Sequence, residues 1–376
     1  MSASLRRASV AAAVAAASLA VHAHGDEAAA AARLPQRVAL LQRAQAELER
    51  GDATQALDDF ERAAMMLHAA DAELGLIRAA MQDGQYRRAL AFCAHTAGEH
   101  TDDADGGALY AWLLRIGGQG ELAARVLADA RAQAPGDPVA AAVEAAFRES
   151  PPVASGLLLQ PLHRMAPWTS GSPSAPPASA RFVSNAVLVD DGSAALVPLP
   201  ALERVTHVRV WVRNGLGQAA EAEIDSGDAA LAARGLARLR LRQPLPVAAS
   251  RQAAGRAPFA GSPGFAMQFG EGSAPAWPML TQGFLGTLAG AADVRRLGFA
   301  SVPGAAVLDA HGALVGITLP GADGAATWLP LASALPSPAG AAAAPRPHAG
   351  PALTAPDEIY EAGLRRALQV LVDAPG

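Results

Sequence analysis

The chain has no lysine, a single cysteine and few aromatic residues, and beyond its first two dozen residues no apolar run approaches the length of a membrane span. Each shortage excludes something. With lysine missing, all 30 basic residues are arginine; set against 35 acidic ones they leave a net charge of −5 and a pI near 6. An all-arginine complement is the mark of a GC-rich bacterial coding sequence and needs no functional demand. The charge balance leaves no basic footprint, which argues against nucleic acid as a partner. Cys93 has no thiol partner for a disulfide or a cysteine-based metal site, and within its Ala-rich helical pattern it reads as a small buried hydrophobe. Aromatics are 5% of residues while the apolar share is 51%, much of it alanine, so the cores should be close-packed and modest in volume. A transmembrane helix needs about 20 consecutive apolar residues, so none is expected in the mature chain. No cofactor and no metal centre is expected.

What is present begins with a targeting signal. Arg6 and Arg7 supply a positive region, Val10 to Leu19 an apolar stretch, and Val21-His22-Ala23 a small-residue cleavage site. Residues 1–23 are therefore expected to be a signal peptide and the mature protein to be periplasmic or secreted. The paired arginines also raise a twin-arginine route, but Ser9 stands where that signal prefers an aromatic, which favours ordinary secretion. Cleavage after Ala23 would leave His24 at the amino terminus. Such a histidine can chelate copper through its amine and ring, or can simply belong to a polar tail.

Residues 35–150 carry a repetition. Gly51, Gly84 and Gly118 are spaced 33 and 34 apart, and Ala56, Ala89 and Ala123 follow each by five. Four residues later come Phe60, Cys93 and Leu127, and three after those Ala63, Thr96 and Ala130. Small residues let two helices approach and a larger one fills the gap behind. This pattern resembles the tetratricopeptide repeat, in which a glycine-containing turn joins two helices. The family proline near the unit's end appears only as Pro135, with His68 and Thr101 in its place earlier. Three units is about the minimum that holds together, and Pro138 to Arg148 fits a capping helix. The resemblance implies an inner groove lined by Gln45, Arg78, Met81, Trp112 and Arg115, suited to an extended peptide or protein with acidic groups. The other reading of Trp112 and Met81 is plain core.

The composition then shifts. Residues 151–179 are rich in proline and serine and read as a semi-rigid linker, although Leu157-Leu158-Leu159 can dock on a domain. Residues 336–353 are a second, Ala/Pro linker. Between them, over 180–335, the period becomes alternating. Strands are expected at Phe182–Val189, Val208–Arg213, Ala219–Ile224, Leu236–Leu241, Gly264–Phe269, Gly283–Leu288, Ala305–Leu308 and Leu314–Thr318. Many short strands separated by Gly- and Pro-bearing turns indicate an all-β barrel or sandwich. Residues 354–374 present Ile359, Tyr360, Leu364, Leu368 and Leu371 as one apolar stripe after an acidic first turn, and read as a C-terminal amphipathic helix.

Within this region, Pro303-Gly304-Ala305-Ala306-Val307-Leu308-Asp309 followed by Gly312 and Gly316 resembles the segment around the nucleophile in trypsin-like serine proteases of the bacterial periplasmic kind. Gly264–Gly270, Gln282–Leu288 and Trp328–Leu331 resemble other family strands in the right order. The resemblance implies an all-β double barrel following the helical array, and it lays Leu199, Gly235 and Pro303 on the histidine, aspartate and serine of the triad. Proline offers neither a nucleophilic oxygen nor the N–H that this family uses in its oxyanion hole. Ser301, the only nearby hydroxyl, fits the nucleophile position only with two inserted residues. His207 alternates with Arg209 toward solvent, and Asp228 belongs to a turn. The expectation is a non-catalytic binding or scaffold protein. The alternatives are an active trypsin-like endopeptidase using an unaligned serine (Ser301, or one in the Ser170–Ser179 tract) and a metal-handling protein using its N-terminal histidines.

Overall fold

The computed structural model describes residues 34–100, 104–169, 175–203, 205, 208–225, 227–247, 258–286, 294–321, 326–335 and 354–373. The signal peptide, His24, His207, the first part of the Ser170–Ser179 tract and the 336–353 linker lie outside them.

Among the described residues seven helices come first: α1 (34–50), α2 (Ala53–Met66), α3 (Ala70–Asp83), α4 (Tyr86–Glu99), α5 (Ala104–Ile116), α6 (Gly120–Gln133) and α7 (Pro138–Ala146). The regular spacing in the sequence has a structural cause. Gly51, Gly84 and Gly118 close the first helix of each pair with φ of 85°, 85° and 86°, a left-handed conformation that costs a residue with a Cβ about 1 kcal/mol or more. Ala56, Ala89 and Ala123 are wholly buried where the second helix presses on its neighbours, and Phe60, Cys93 and Leu127 fill in behind them. Asp137 caps α7 by accepting from the Ala140 N–H at 2.6 Å, with Pro138 in the first turn.

The β region is two six-stranded antiparallel sheets. The first is a closed barrel in the order β1 (Arg181–Val189), β12 (Ala367–Asp373), β3 (Arg209–Asn214), β4 (Ala219–Asp225), β5 (Leu236–Leu241) and β2 (Ala194–Pro198), with β2 back against β1. The period-2 pattern explains its packing. Ala186 and Leu188, Ala195 and Val197, Val210 and Val212, Ala220 and Ala222, Leu239 and Leu241, and Leu368 and Val370 form one enclosed cluster. Five alanines of that cluster (Ala186, Ala195, Ala220, Ala222 and Ala237) give it the small volume the composition implies. The second sheet runs β7 (Met279–Leu285), β6 (Ser262–Gln268), β9 (Ala306–Asp309), β10 (Leu314–Pro320), β11 (Ala326–Pro330) and β8 (Arg295–Arg296). A bridge between Leu285 and Leu297 brings β8 back beside β7. An α-helical array followed by two six-stranded antiparallel sheets is the layout the sequence implies.

Two expectations need correction. The C-terminal helix of residues 354–374 is only Pro356–Leu364 (α10, after the one-turn helices α8, Ala229–Ala232, and α9, Leu331–Ala334); the chain then turns at Arg365-Arg366 and runs as β12. Leu368 and Leu371 fit a helical stripe by spacing alone. The segment Ala367-Leu368-Gln369-Val370-Leu371-Val372 is buried on both faces, because one face fills the barrel and the other meets neighbouring chain. The first barrel therefore is not complete within 180–335. The strand expected at Gly283–Leu288 runs instead over Met279–Leu285, paired along its length with β6.

The array and the β region share one apolar core, running from Leu48, Phe60 and Met81 through Leu158 and Trp168 to Leu196, Met267 and Leu364. α10 stitches them together. Tyr360 stacks on Tyr86 at 4.2 Å between centroids and donates its hydroxyl proton to Pro278 O at 2.7 Å, while Arg87 of α4 pairs with Glu358 at 2.7 Å.

Candidate functional site

The junction of the two barrels is where the resemblance puts a catalytic centre, and the local geometry follows from a few backbone demands. Asn185 of β1 ties the sheets together: its Oδ1 accepts from the Phe269 N–H at 2.7 Å and its Nδ2 donates to Phe269 O at 3.2 Å. Gly304 sits against the same residue with φ of 85°, and a Cβ there would come within 2.0 Å of Asn185 O. Only glycine fits. β1 pairs with β2 through Val187 opposite Leu196, and β2 runs on to Pro198, which pairs with Leu236 of β5. Leu199 follows, and its N–H donates to Gly235 O at 2.8 Å. Leu199 and Gly235 are thus neighbours, while Pro303 precedes the glycine that packs on Asn185.

Each has a structural role. The half-buried Leu199 side chain packs on the barrel core. Gly235 occupies a left-handed turn at φ 75°. Pro303 is exposed, and the next two N–H groups are committed, Gly304 to Thr318 O at 2.9 Å and Ala305 to Thr318 Oγ1 at 2.7 Å. Ser301 Oγ donates to the side-chain oxygen of Gln268 at 3.0 Å, which also receives the Val302 N–H at 3.0 Å. His311 lies in the β9–β10 turn, where Asp309 Oδ1 accepts the His311 N–H at 2.8 Å. Asp228, as expected, serves a turn, capping a short helix at Leu231 N.

The groove expected on the array is filled from within. Residues 156–168, assigned to a linker by their composition, fold onto the helices with Leu158, Met165, Ala166 and Trp168 buried. Arg78 is 1% exposed: its Nε donates to Leu74 O at 3.0 Å and its Nη1 to Gln45 Oε1 at 3.0 Å and to Pro161 O, with the rings of Phe60 and Trp168 on either side at 6.0 and 5.8 Å. Burial lowers the guanidinium pKa to about 10, which leaves it charged at neutral pH. Met81 and Trp112 are core, the second of the two readings that the sequence allowed. Arg115 is half-buried against the Phe147 ring at 5.9 Å. The correction has a plain cause: the Leu157–Leu159 cluster and Trp168 have more apolar surface than a solvated linker tolerates, and the array offers the nearest apolar face. Cys93 is wholly buried, and burial pushes its thiol pKa up, as suits an inert hydrophobe.

One constellation was not read from the sequence. His68, His95 and His100 turn their Nε2 atoms toward the buried carboxylate of Glu73. The residues are 5 to 32 positions apart, so no short motif records them; the only local trace is the pair His95 and His100 at the end of one helical pattern.

The sequence matches no family model and no curated protein. Among solved structures it is similar to the apo form of the MamO protease domain from Magnetospirillum magneticum, at 19% identity over 41% of this chain and 87% of that one, with a TM-score of 0.33. Among the described residues no helix is long and apolar enough to cross a membrane.

Proposed function

We propose that the protein is a periplasmic or secreted non-catalytic component, in which a tetratricopeptide-like array braces a trypsin-like domain that has lost its triad. The carrying observation is Pro303. In the alignment that the resemblance implies it takes the nucleophile position, and it has neither a hydroxyl nor an N–H. Supporting it, Ser301 donates its hydroxyl proton to Gln268, an amide that cannot act as the general base that serine catalysis needs. The scaffold reading draws on the filled inner face of the array, where binding energy is already used to hold residues 156–168 and the barrels. A protein or peptide partner would then engage the remaining surfaces, or displace that segment from Arg78.

The test is chemical. Purified protein incubated with a serine-directed fluorophosphonate is expected to take up no label, and casein-type substrates to stay intact. Covalent modification of Ser301 that disappears in Ser301→Ala would establish the endopeptidase alternative instead.

A further inference from the structure

We propose that His68, Glu73, His95 and His100 form a binding site for one divalent transition-metal ion of the zinc class, clipping the first helical pair to the second. The placement begins with topology. α3 and α4 are antiparallel helices of 14 residues each, so the first turn of α3, which carries Glu73, lies level with the last turn of α4, which carries His95 and ends at His100. His68 arrives from the link between α2 and α3, at the position where the third repeat has Pro135. Four side chains from three consecutive elements converge.

The donor spacing suits a metal. An ion with four ligands at about 2.0–2.1 Å in a tetrahedron holds its donor atoms about 3.3 Å apart. Here His68 Nε2 lies 3.1 Å from His95 Nε2 and 2.7 Å from Glu73 Oε1. His95 Nε2 is 3.5 Å from Glu73 Oε1, and His100 Nε2 is 3.4 Å from Glu73 Oε2. The ligand atoms of His68, Glu73 and His100 all fall within 4.8 Å of one another.

Hydrogen bonding alone accounts for this arrangement poorly. One Nε2–H on His68 cannot serve Glu73 and also accept from His95, because a protonated ring nitrogen has no free lone pair. His100 Nε2 is buried and has no hydrogen-bond partner. Glu73 is 3% exposed, yet its ion-pair partners among the described residues are imidazoles, which are cations only when protonated. A buried carboxylate requires compensating charge, and a bound dication supplies it. Thr96 completes the surroundings. It occupies the small-residue position that is alanine in the other two repeats, and its hydroxyl donates to Glu73 Oε2 at 2.7 Å, fixing the carboxylate as a supporting residue does at a metal centre.

Three imidazoles, one carboxylate and no thiolate favour Zn²⁺, with Cu²⁺, Ni²⁺ and Co²⁺ as competitors of the same ligand preference. His68, Glu73 and His100 form the close set, and with His95 as the fourth ligand the tetrahedron would be filled, as in a structural clip rather than a catalytic centre. The half-exposed His68 and His95 rings give the ion access from solvent.

The experiment uses the full chain, freed of any affinity tag, and zinc and cobalt as probes. Equilibrium dialysis is expected to give one tightly bound Zn²⁺ per chain, and Co²⁺ loading the intense visible bands of tetrahedral coordination. His68→Asn with His95→Asn changes two half-exposed rings and leaves His100 and Thr96 on the Glu73 carboxylate, so it should fold as the parent does and lose at least a hundredfold in zinc affinity. His22→Asn with His24→Asn should bind as the parent does. Zinc should also raise the melting temperature of the parent and leave that of the His68/His95 variant unmoved. Retained stoichiometry in that variant, loss of binding in the His22/His24 variant, or weak octahedral cobalt bands would each overturn the proposal.

Discussion

Replacing Arg78 with alanine is expected to lower the stability of the protein by about 3–5 kcal/mol, measured as a shift in the midpoint of denaturant unfolding at unchanged slope. Arg78 is a buried polar contact between the array and residues 156–168, beside those of Gln82 with Trp168 and Asp105 with His163. Its removal leaves Pro161 O and Leu74 O without this donor and strands Gln45 beside a cavity of guanidinium size. Buried groups left unpaired cost about 1–3 kcal/mol each, and the two flanking rings lose their cation contact. Arg78→Met separates the contributions. It keeps most of the volume and removes a charge that burial already disfavours, so its cost should be well below that of alanine. A loss under 1 kcal/mol for alanine would mean that the segment is held by its buried apolar side chains and by the Gln82 and Asp105 contacts instead. The same experiment bears on the groove: had Arg78 been an exposed peptide ligand, its truncation would leave the fold nearly untouched.

The features that could be read from the sequence are those whose cause is local. Gly51, Gly84 and Gly118 recur because each helical pair needs the same left-handed turn, and Ala56, Ala89 and Ala123 recur because each second helix needs the same close approach. The β9–β10 hairpin was legible for a similar reason, since Asp309 bonds the N–H groups of His311 and Ala313 and Gly312 takes φ 74°. The resemblance in strand order lays Leu199, Gly235 and Pro303 on the triad positions, and of these the backbone joins Leu199 to Gly235. What stayed hidden depends on distant partners. Residues 156–168 look like a linker until the array supplies an apolar face. Glu73 looks like an ordinary acid in the first turn of α3 until α4 returns beside it. The last strand looked helical because Leu368 and Leu371 are three apart, and only the open side of a five-stranded barrel decides between the two periods.

That last strand carries the largest expected effect. A chain ending after Leu364 keeps all of α10 but lacks β12, and its first barrel is expected not to fold. β12 pairs along its whole length with β1 on one side and β3 on the other. Leu368, Val370 and Leu371 are wholly buried and Val372 nearly so. At roughly 1.5–3 kcal/mol for each large apolar side chain, their loss amounts to roughly 6–12 kcal/mol, as much as the stability of a typical domain. Gln369 adds a second tie, accepting from Arg213 Nε at 3.0 Å and donating to Gly272 O at 2.9 Å in the second sheet's leading loop. Without it the buried Arg213, whose pKa burial lowers to about 10, keeps only the Ser273 carbonyl. The two bared strand edges would then template aggregation. The measurement is near-ultraviolet circular dichroism and the fluorescence of Trp211, which is buried on β3 directly opposite Leu371. A truncated chain should lose the native signal and recover it when a synthetic peptide of residues 365–376 is added during refolding. If instead the shortened protein stays soluble and unfolds cooperatively within about 2 kcal/mol of the parent, β12 contributes far less than its burial implies.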